Sequence, residues 1–191
     1  MRRIYKMELL DIVDEHGRIT GIVVEREEAH RRGILHRTSH VWIVREKNGQ
    51  LQILLQKRSE EKDSHPGCYD ISSAGHIPAG EDFISSALRE LKEELGYDAK
   101  PEQLIYCGQR QFEFQQTFHG KLFHDNQVSN VYLMWLDQEP EQFTLQKEEI
   151  SEVRWMELKE CIQKVKSNQI PNCIYLEELE MIQKKLLSDG I

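Results

Sequence analysis

Residues 75–97 constrain the fold of this 191-residue chain more than any other stretch. A loop bounded by Gly75 and Gly80 leads into Glu81-Asp82, acids that suit the start of a helix, and Gly96 closes the helix that follows. At about 100° per residue, Glu90, Glu93 and Glu94 fall within an arc of about 100°. Like charges so close repel, so an isolated helix gains nothing from them. A solvated acidic face is the common reason for such a run. Arg89, four residues before Glu93, can pair with that carboxylate and orient it. A hard cation such as Mg²⁺, which takes oxygen ligands and partners phosphates, explains the cluster better.

The spacing is specific: Gly75, five residues, Glu81, seven residues, Arg89-Glu90-Leu91, one residue, Glu93-Glu94, one residue, Gly96. It resembles the Nudix box, and the chain looks like a Nudix hydrolase. The one departure is Tyr97, where the family usually has a bulky aliphatic residue. The resemblance implies an α/β fold, the Nudix α/β/α sandwich with a mixed β-sheet. It also implies Mg²⁺ or Mn²⁺ and cleavage of a diphosphate linkage in a small nucleoside-diphosphate-type substrate. By the same resemblance the metal ligands are Glu90, Glu93 and Glu94, joined by Glu81 and the carbonyl near Gly75. Arg89 is the orienting partner.

A second resemblance, to the isopentenyl-diphosphate isomerase branch, covers roughly residues 30–155. It rests on Ile34-Leu-His36-Arg37, Leu54-Leu-Gln-Lys57-Arg58-Ser-Glu-Glu-Lys62, His65-Pro-Gly-Cys-Tyr-Asp70, Ala74-Gly-His76 and Asp125-Asn-Gln127-Val128. The isomerases place a cysteine where this chain has Ala74, and two glutamates where it has Asp125 and Gln127. The proton shuttle is therefore missing while the hydrolytic box is intact. Through this branch Arg58 and Lys62 are candidate diphosphate contacts, against the alternative of solvated loop charges. Arg suits bidentate contact with phosphate oxygens. His36 and His76 align with metal-binding histidines of the isomerases. Mg²⁺ prefers oxygen, and with Gln127 a second metal site looks broken. His76 is kept as a substrate contact, and His30, which lacks the spacing to His36, reads as surface.

Lys147-Glu148-Glu149-Ile150 sits where many Nudix enzymes place a loop carboxylate that acts as general base. Glu149 is the candidate, with Glu90 as the alternative. Phe112, Phe114, Phe118, Tyr132 and Trp135 alternate on strands, which suits packing on a sheet face.

The length suits a single domain over 1–191, with a hairpin extension at 1–30 and the box at 75–97. The formal net charge of −8 argues against nucleic-acid polymers as partners. Cys68, Cys107, Cys161 and Cys173 have no paired spacing, so reduced thiols and a cytoplasmic protein are expected. No apolar stretch suits a membrane span, and the basic N-terminus lacks the apolar run of a signal peptide. Leu9–Asp14 and Ile19–Val24 read as a hairpin, and a homodimer through that extension is a candidate arrangement. Asn48-Gly49 between His40–Arg45 and Leu51–Gln56 is a strong hairpin signal. Strands are expected at 104–118 and 127–137, joined by His119 to Asn126. A strand from Ile150 then leads towards a helix, and an amphipathic helix ends the chain at about Tyr175–Leu187.

Two other functions compete with a pyrophosphohydrolase. An isomerase is disfavoured by Ala74 and Gln127. A non-catalytic binding module has no need of every box carboxylate.

Overall fold

The computed structural model describes residues 8–188. Residues 1–7 and 189–191, including the ends of the expected domain and extension, lie outside that range. A hairpin of β1 (Leu9–Val13) and β2 (Ile19–Glu25) comes first, followed by helix α1 (Arg26–Arg32). The main sheet is built from β3 (His36–Lys47), β4 (Gln50–Arg58), β5 (Tyr69–Asp70), β6 (Ser73–His76), β7 (Ile105–Phe118), β8 (Lys121–Trp135) and β9 (Ile150–Glu157). Its order is β5-β4-β3-β8-β7, with β6 paired to β3 and β9 to β4. The β3–β8 pair is parallel and the others are antiparallel, so the sheet is mixed as expected.

The alternation of strand side chains divides β3 between two cores. Val41 and Ile43 pack with Ala87, Leu91 and Leu95 of α2 (Phe83–Leu95). Trp42 and Val44 face the other way, toward Leu158 and Cys161 of α3 (Leu158–Lys166) and Leu179 and Ile182 of α4 (Leu176–Ser188). The result is the expected α/β/α sandwich. Truncating a fully buried side chain such as Leu91 in such a core costs about 2–5 kcal/mol.

Local chemistry sets the boundaries. Asp82 caps α2 by accepting from the amides of Ile84 and Ser85, each at 2.9 Å. Gly96 ends the helix at φ 68°, a left-handed position that suits glycine. Asn48 and Gly49 turn β3 into β4 with φ of 55° and 73°. The β7–β8 hairpin is tighter than expected. His119 and Gly120 make the turn alone, at φ 48° and 75°, and β8 starts at Lys121. Asp125 and Asn126 are therefore strand residues, and their side chains have fixed directions.

Candidate active site

Strand β6 and helix α2 build the acidic half of the site. Gly75 is required by close approach: a Cβ there would lie 2.1 Å from Glu90 Oε1. Glu94 runs beneath β6, accepting from Ser73 Oγ at 2.7 Å and from the amide of Ala74 at 3.3 Å. Arg89 ties the rest together. It donates to Glu90 at 2.7 Å, to Glu93 at 3.2 Å and to the His76 carbonyl at 3.1 Å, and lies 3.6 Å from Glu81. The expected orienting role thus corresponds to four contacts rather than one. Glu81 also accepts from Ser86 Oγ at 3.0 Å.

Exposure separates the three clustered carboxylates. Glu94 is buried, Glu90 is half-buried and Glu93 is open to solvent. Burial, followed by the neighbouring charge of Glu90, pushes the Glu94 carboxyl up to about 8. Burial raises Glu90 to about 7, with Arg89 opposing the rise. A buried and a half-buried carboxyl, adjacent and both displaced upward, form a pair that Arg89 alone does not neutralise. Their oxygen chemistry fits a hard divalent ion, and this is the observation that supports Glu90 and Glu94 as its ligands.

A second half joins His36 and His76, which the sequence singled out, to His30, which it did not. The ring nitrogens of His30, His36 and His76, from α1, β3 and β6, lie within 4.8 Å of one another. His30 Nε2 and His76 Nε2 are 3.1 Å apart. Asp125 Oδ1, from β8, lies 3.7 Å from His30 and 3.6 Å from His36. His30 is thus buried, which corrects its reading as a surface residue. Spacing along the chain could not reveal this, because α1 packs on β8 and turns His30 inward. His36 Nδ1 lies 2.8 Å from the Ile34 carbonyl, so it carries the proton, and Nε2 faces the cluster as a lone pair. Neither His36 Nε2 nor Asp125 Oδ1 has a hydrogen-bond partner among the described residues. Burial drives His30 down to about 3 and lowers His36 and His76 as well, which keeps the rings neutral. Three neutral imidazoles and a carboxylate suit a softer divalent ion than Mg²⁺. Gln127, where the isomerases have a second glutamate, is buried beside His36 in the β3–β8 register.

The expected diphosphate contacts are already paired. Arg58 donates to Asp70 at 3.0 Å and to Ser64, and Lys62 pairs with Glu149. Burial acts to raise the Glu149 carboxyl, but Lys62 outweighs it and the net displacement is downward. The sequence reading also passed over Arg26. It pairs with Glu8 at 2.8 Å, and its charge bears on Glu90, Asp125 and Glu149 alike. The aromatic residues expected to pack on a sheet face divide. Tyr132 is buried against α2, whereas Phe112, Phe114 and Phe118 are only half-buried. The four cysteines are free thiols. Among the described residues, no helix is long and apolar enough to cross a membrane.

Comparison with known proteins places this arrangement. The NUDIX domain model matches residues 35–175. An uncharacterised Nudix hydrolase of Clostridium acetobutylicum is 41% identical over 143 residues, 75% of this chain and 66% of that protein. Nudix hydrolase 3 of Arabidopsis thaliana is 46% identical over 158 residues, 80% of this chain but 20% of that longer protein. The chain therefore spans just under two thirds of one of these relatives and a fifth of the other. Among solved structures, DR0079 of Deinococcus radiodurans superposes with a TM-score of 0.61 at 20% identity, covering 84% of this chain and 90% of that one. The NUDIX domain of Shewanella oneidensis NrtR, complexed with ADP ribose, gives 0.58 at 17% identity, covering 80% and 87%. At these identities the structural likeness speaks for the fold.

Proposed function

The chain belongs to the Nudix family, and from that premise we propose that it is a divalent-metal-dependent pyrophosphohydrolase acting on a diphosphate linkage in a small molecule. The observation that carries the reading is the Glu90–Glu94 pair, a half-buried and a buried carboxyl that lack a full set of cationic partners. Glu90, Glu93 and Glu94 would hold Mg²⁺, with Glu81 and the Gly75 carbonyl beside them. His30, His36, His76 and Asp125 would hold a softer ion such as Mn²⁺. A divalent ion supplies charge neutralisation on the diphosphate and lowers the pKa of water at the site.

The residues of the chain do the remaining work. Arg89 bridges Glu90 and Glu93 and aims them. Glu149 is the candidate base for the attacking water, and Glu90 is the alternative. Lys62 exchanges Glu149 for a phosphate oxygen when substrate enters, which frees that carboxylate to accept a proton. Arg58 fixes the loop floor through Asp70 and Ser64. The ADP ribose held by the Shewanella domain is a diphosphate-linked molecule of the expected size class.

The test is a product screen by mass spectrometry over nucleoside di- and triphosphates, nucleotide sugars, dinucleotides and alkyl diphosphates. It is run with Mg²⁺ and with Mn²⁺, with Glu94→Gln as the control. Cleavage at the diphosphate that is lost in the variant supports the reading. Isomerised product without phosphate release, or no product from any class, refutes it.

A further inference from the structure

The family match begins at residue 35, yet the hairpin before it grips the loop that leads into the acidic helix. From Ile77 to Glu81 each backbone N–H of that loop has an acceptor. Ile77 donates to the Arg37 carbonyl of β3 at 3.1 Å, and Ala79 to the Leu9 carbonyl of β1 at 2.7 Å. Glu81 donates back to the Pro78 carbonyl at 3.0 Å, which closes a turn around Gly80 at φ 83°. The Gly80 amide goes to a side chain instead, Asp11 Oδ2 of β1, at 2.9 Å. Asp11 Oδ2 also accepts from Arg37 Nη2 at 3.0 Å, and the same nitrogen donates to the Glu81 carbonyl at 2.9 Å.

Asp11 and Arg37 are 7% and 6% exposed. Apolar contacts alone could fasten the hairpin, and Leu10 and Val13 are already buried beneath it. Burying an ion pair carries a desolvation cost that its own attraction barely offsets. Here the cost is not fully met, because Arg37 Nε has no hydrogen-bond partner among the described residues. What the pair adds is direction. Its outer bonds fall on the Gly80 amide and the Glu81 carbonyl, so they bracket the backbone from which the Glu81 side chain leaves. That side chain then meets Ser86 Oγ at 3.0 Å and lies 3.6 Å from Arg89, which bonds Glu90 and Glu93 in turn.

We propose that Asp11 and Arg37 are positioning residues for the metal site, acting through Glu81, and that the N-terminal hairpin is a working part of that site. The proposal rests on the metal-ion reading of the acidic cluster and extends it to a strand outside the family match.

Calorimetric titration of the full chain with Mg²⁺ tests it. Asp11→Ala should weaken Mg²⁺ binding by about tenfold or more, the usual effect of losing a group that orients a ligand. Asp11→Asn keeps an oxygen for the Gly80 amide and should lose less, and it carries the comparison if the alanine variant does not fold. In a Glu81→Gln background either change at Asp11 should weaken binding no further, because both residues act at one point. Ile182→Ala, in the core on the far face of the sheet, should lower the urea midpoint yet bind Mg²⁺ as the unmodified protein does. Unchanged binding in both Asp11 variants overturns the proposal. So does a further loss in the double variant, or an equal loss in Ile182→Ala, since either marks general loosening. These three results leave the metal-ion reading standing, whereas absence of Mg²⁺ binding in the unmodified protein overturns both.

Discussion

Glu94 and Glu178 are both buried glutamates on helices that pack against opposite faces of one sheet, yet their carboxyls move in opposite directions. Glu178 accepts from three donors: His40 Nδ1 at 2.8 Å, Trp42 Nε1 at 2.9 Å and Arg110 at 2.9 Å. Burial alone would raise it, but His40 and Arg110 lead a set of partners that pulls it down to about 2. Glu94 has only a hydroxyl and a long amide contact, beside another carboxylate, and burial pushes it up to about 8. A buried charge is tolerated when the chain supplies its partners. At Glu178 it does, and the carboxylate holds α4 on the sheet. At Glu94 it does not, and the missing positive charge has to come from outside. The contrast separates a structural carboxylate from one kept for a ligand.

The largest effect that should sharpen this contrast is on stability. Glu178→Ala leaves Arg110 buried without its main partner, and should cost about 3–5 kcal/mol of unfolding free energy in urea titrations. A loss below about 1 kcal/mol would remove the structural half of the comparison. Glu94→Gln should behave in the opposite way. Turnover should drop by about a thousandfold, the scale of several kcal/mol of lost metal assistance. The metal-free variant should unfold no more easily than the unmodified protein at pH 8, because an uncompensated charge has gone. A variant that is inactive only because it is unfolded would break the argument.

A smaller effect lies in pH dependence. Glu94 and Glu90 are raised above their ordinary value of 4.5, so the native state holds more protons than the unfolded chain between there and about 8. Stability of the metal-free protein should therefore fall as pH rises through that window. Glu178 has the reverse sign. Its contribution is complete above 4.5 and is lost as pH falls toward about 2. Denaturation curves with chelator at pH 5, 6.5 and 8 read the first effect, and the decline should vanish when both Glu90 and Glu94 are changed to Gln.

How much of this could be seen in the sequence follows from how each part is assembled. The acidic half of the site occupies one contiguous window, so helical spacing alone brings Glu90, Glu93 and Glu94 together and sets Arg89 beside them. The Asn48-Gly49 turn and the Asp82–Gly96 helix boundaries are equally local. The histidine half draws one side chain each from α1, β3, β6 and β8, and only the packing of α1 against β8 turns His30 inward. The partners of Arg58 and Lys62 were hidden for the same reason. Asp70 is brought to Arg58 by β4–β5 pairing, and Glu149 lies 87 residues from Lys62 along the chain. At the β7–β8 turn a local signal was present but passed over, since His119 takes a left-handed conformation ahead of Gly120. Reading that turn as two residues would have placed Asp125 on a strand, in register to face the cluster.

The central claim is that Glu94 and Glu90 are kept without full partners in order to receive a cation. Calorimetric titration of the protein with Mg²⁺ in buffers of different ionisation heat tests it most directly, because a carboxyl raised to about 8 must lose its proton when the ion arrives. The account predicts binding with proton release at pH 7, and loss of both in Glu94→Gln. Binding of equal strength in that variant, or binding without proton release, would contradict it.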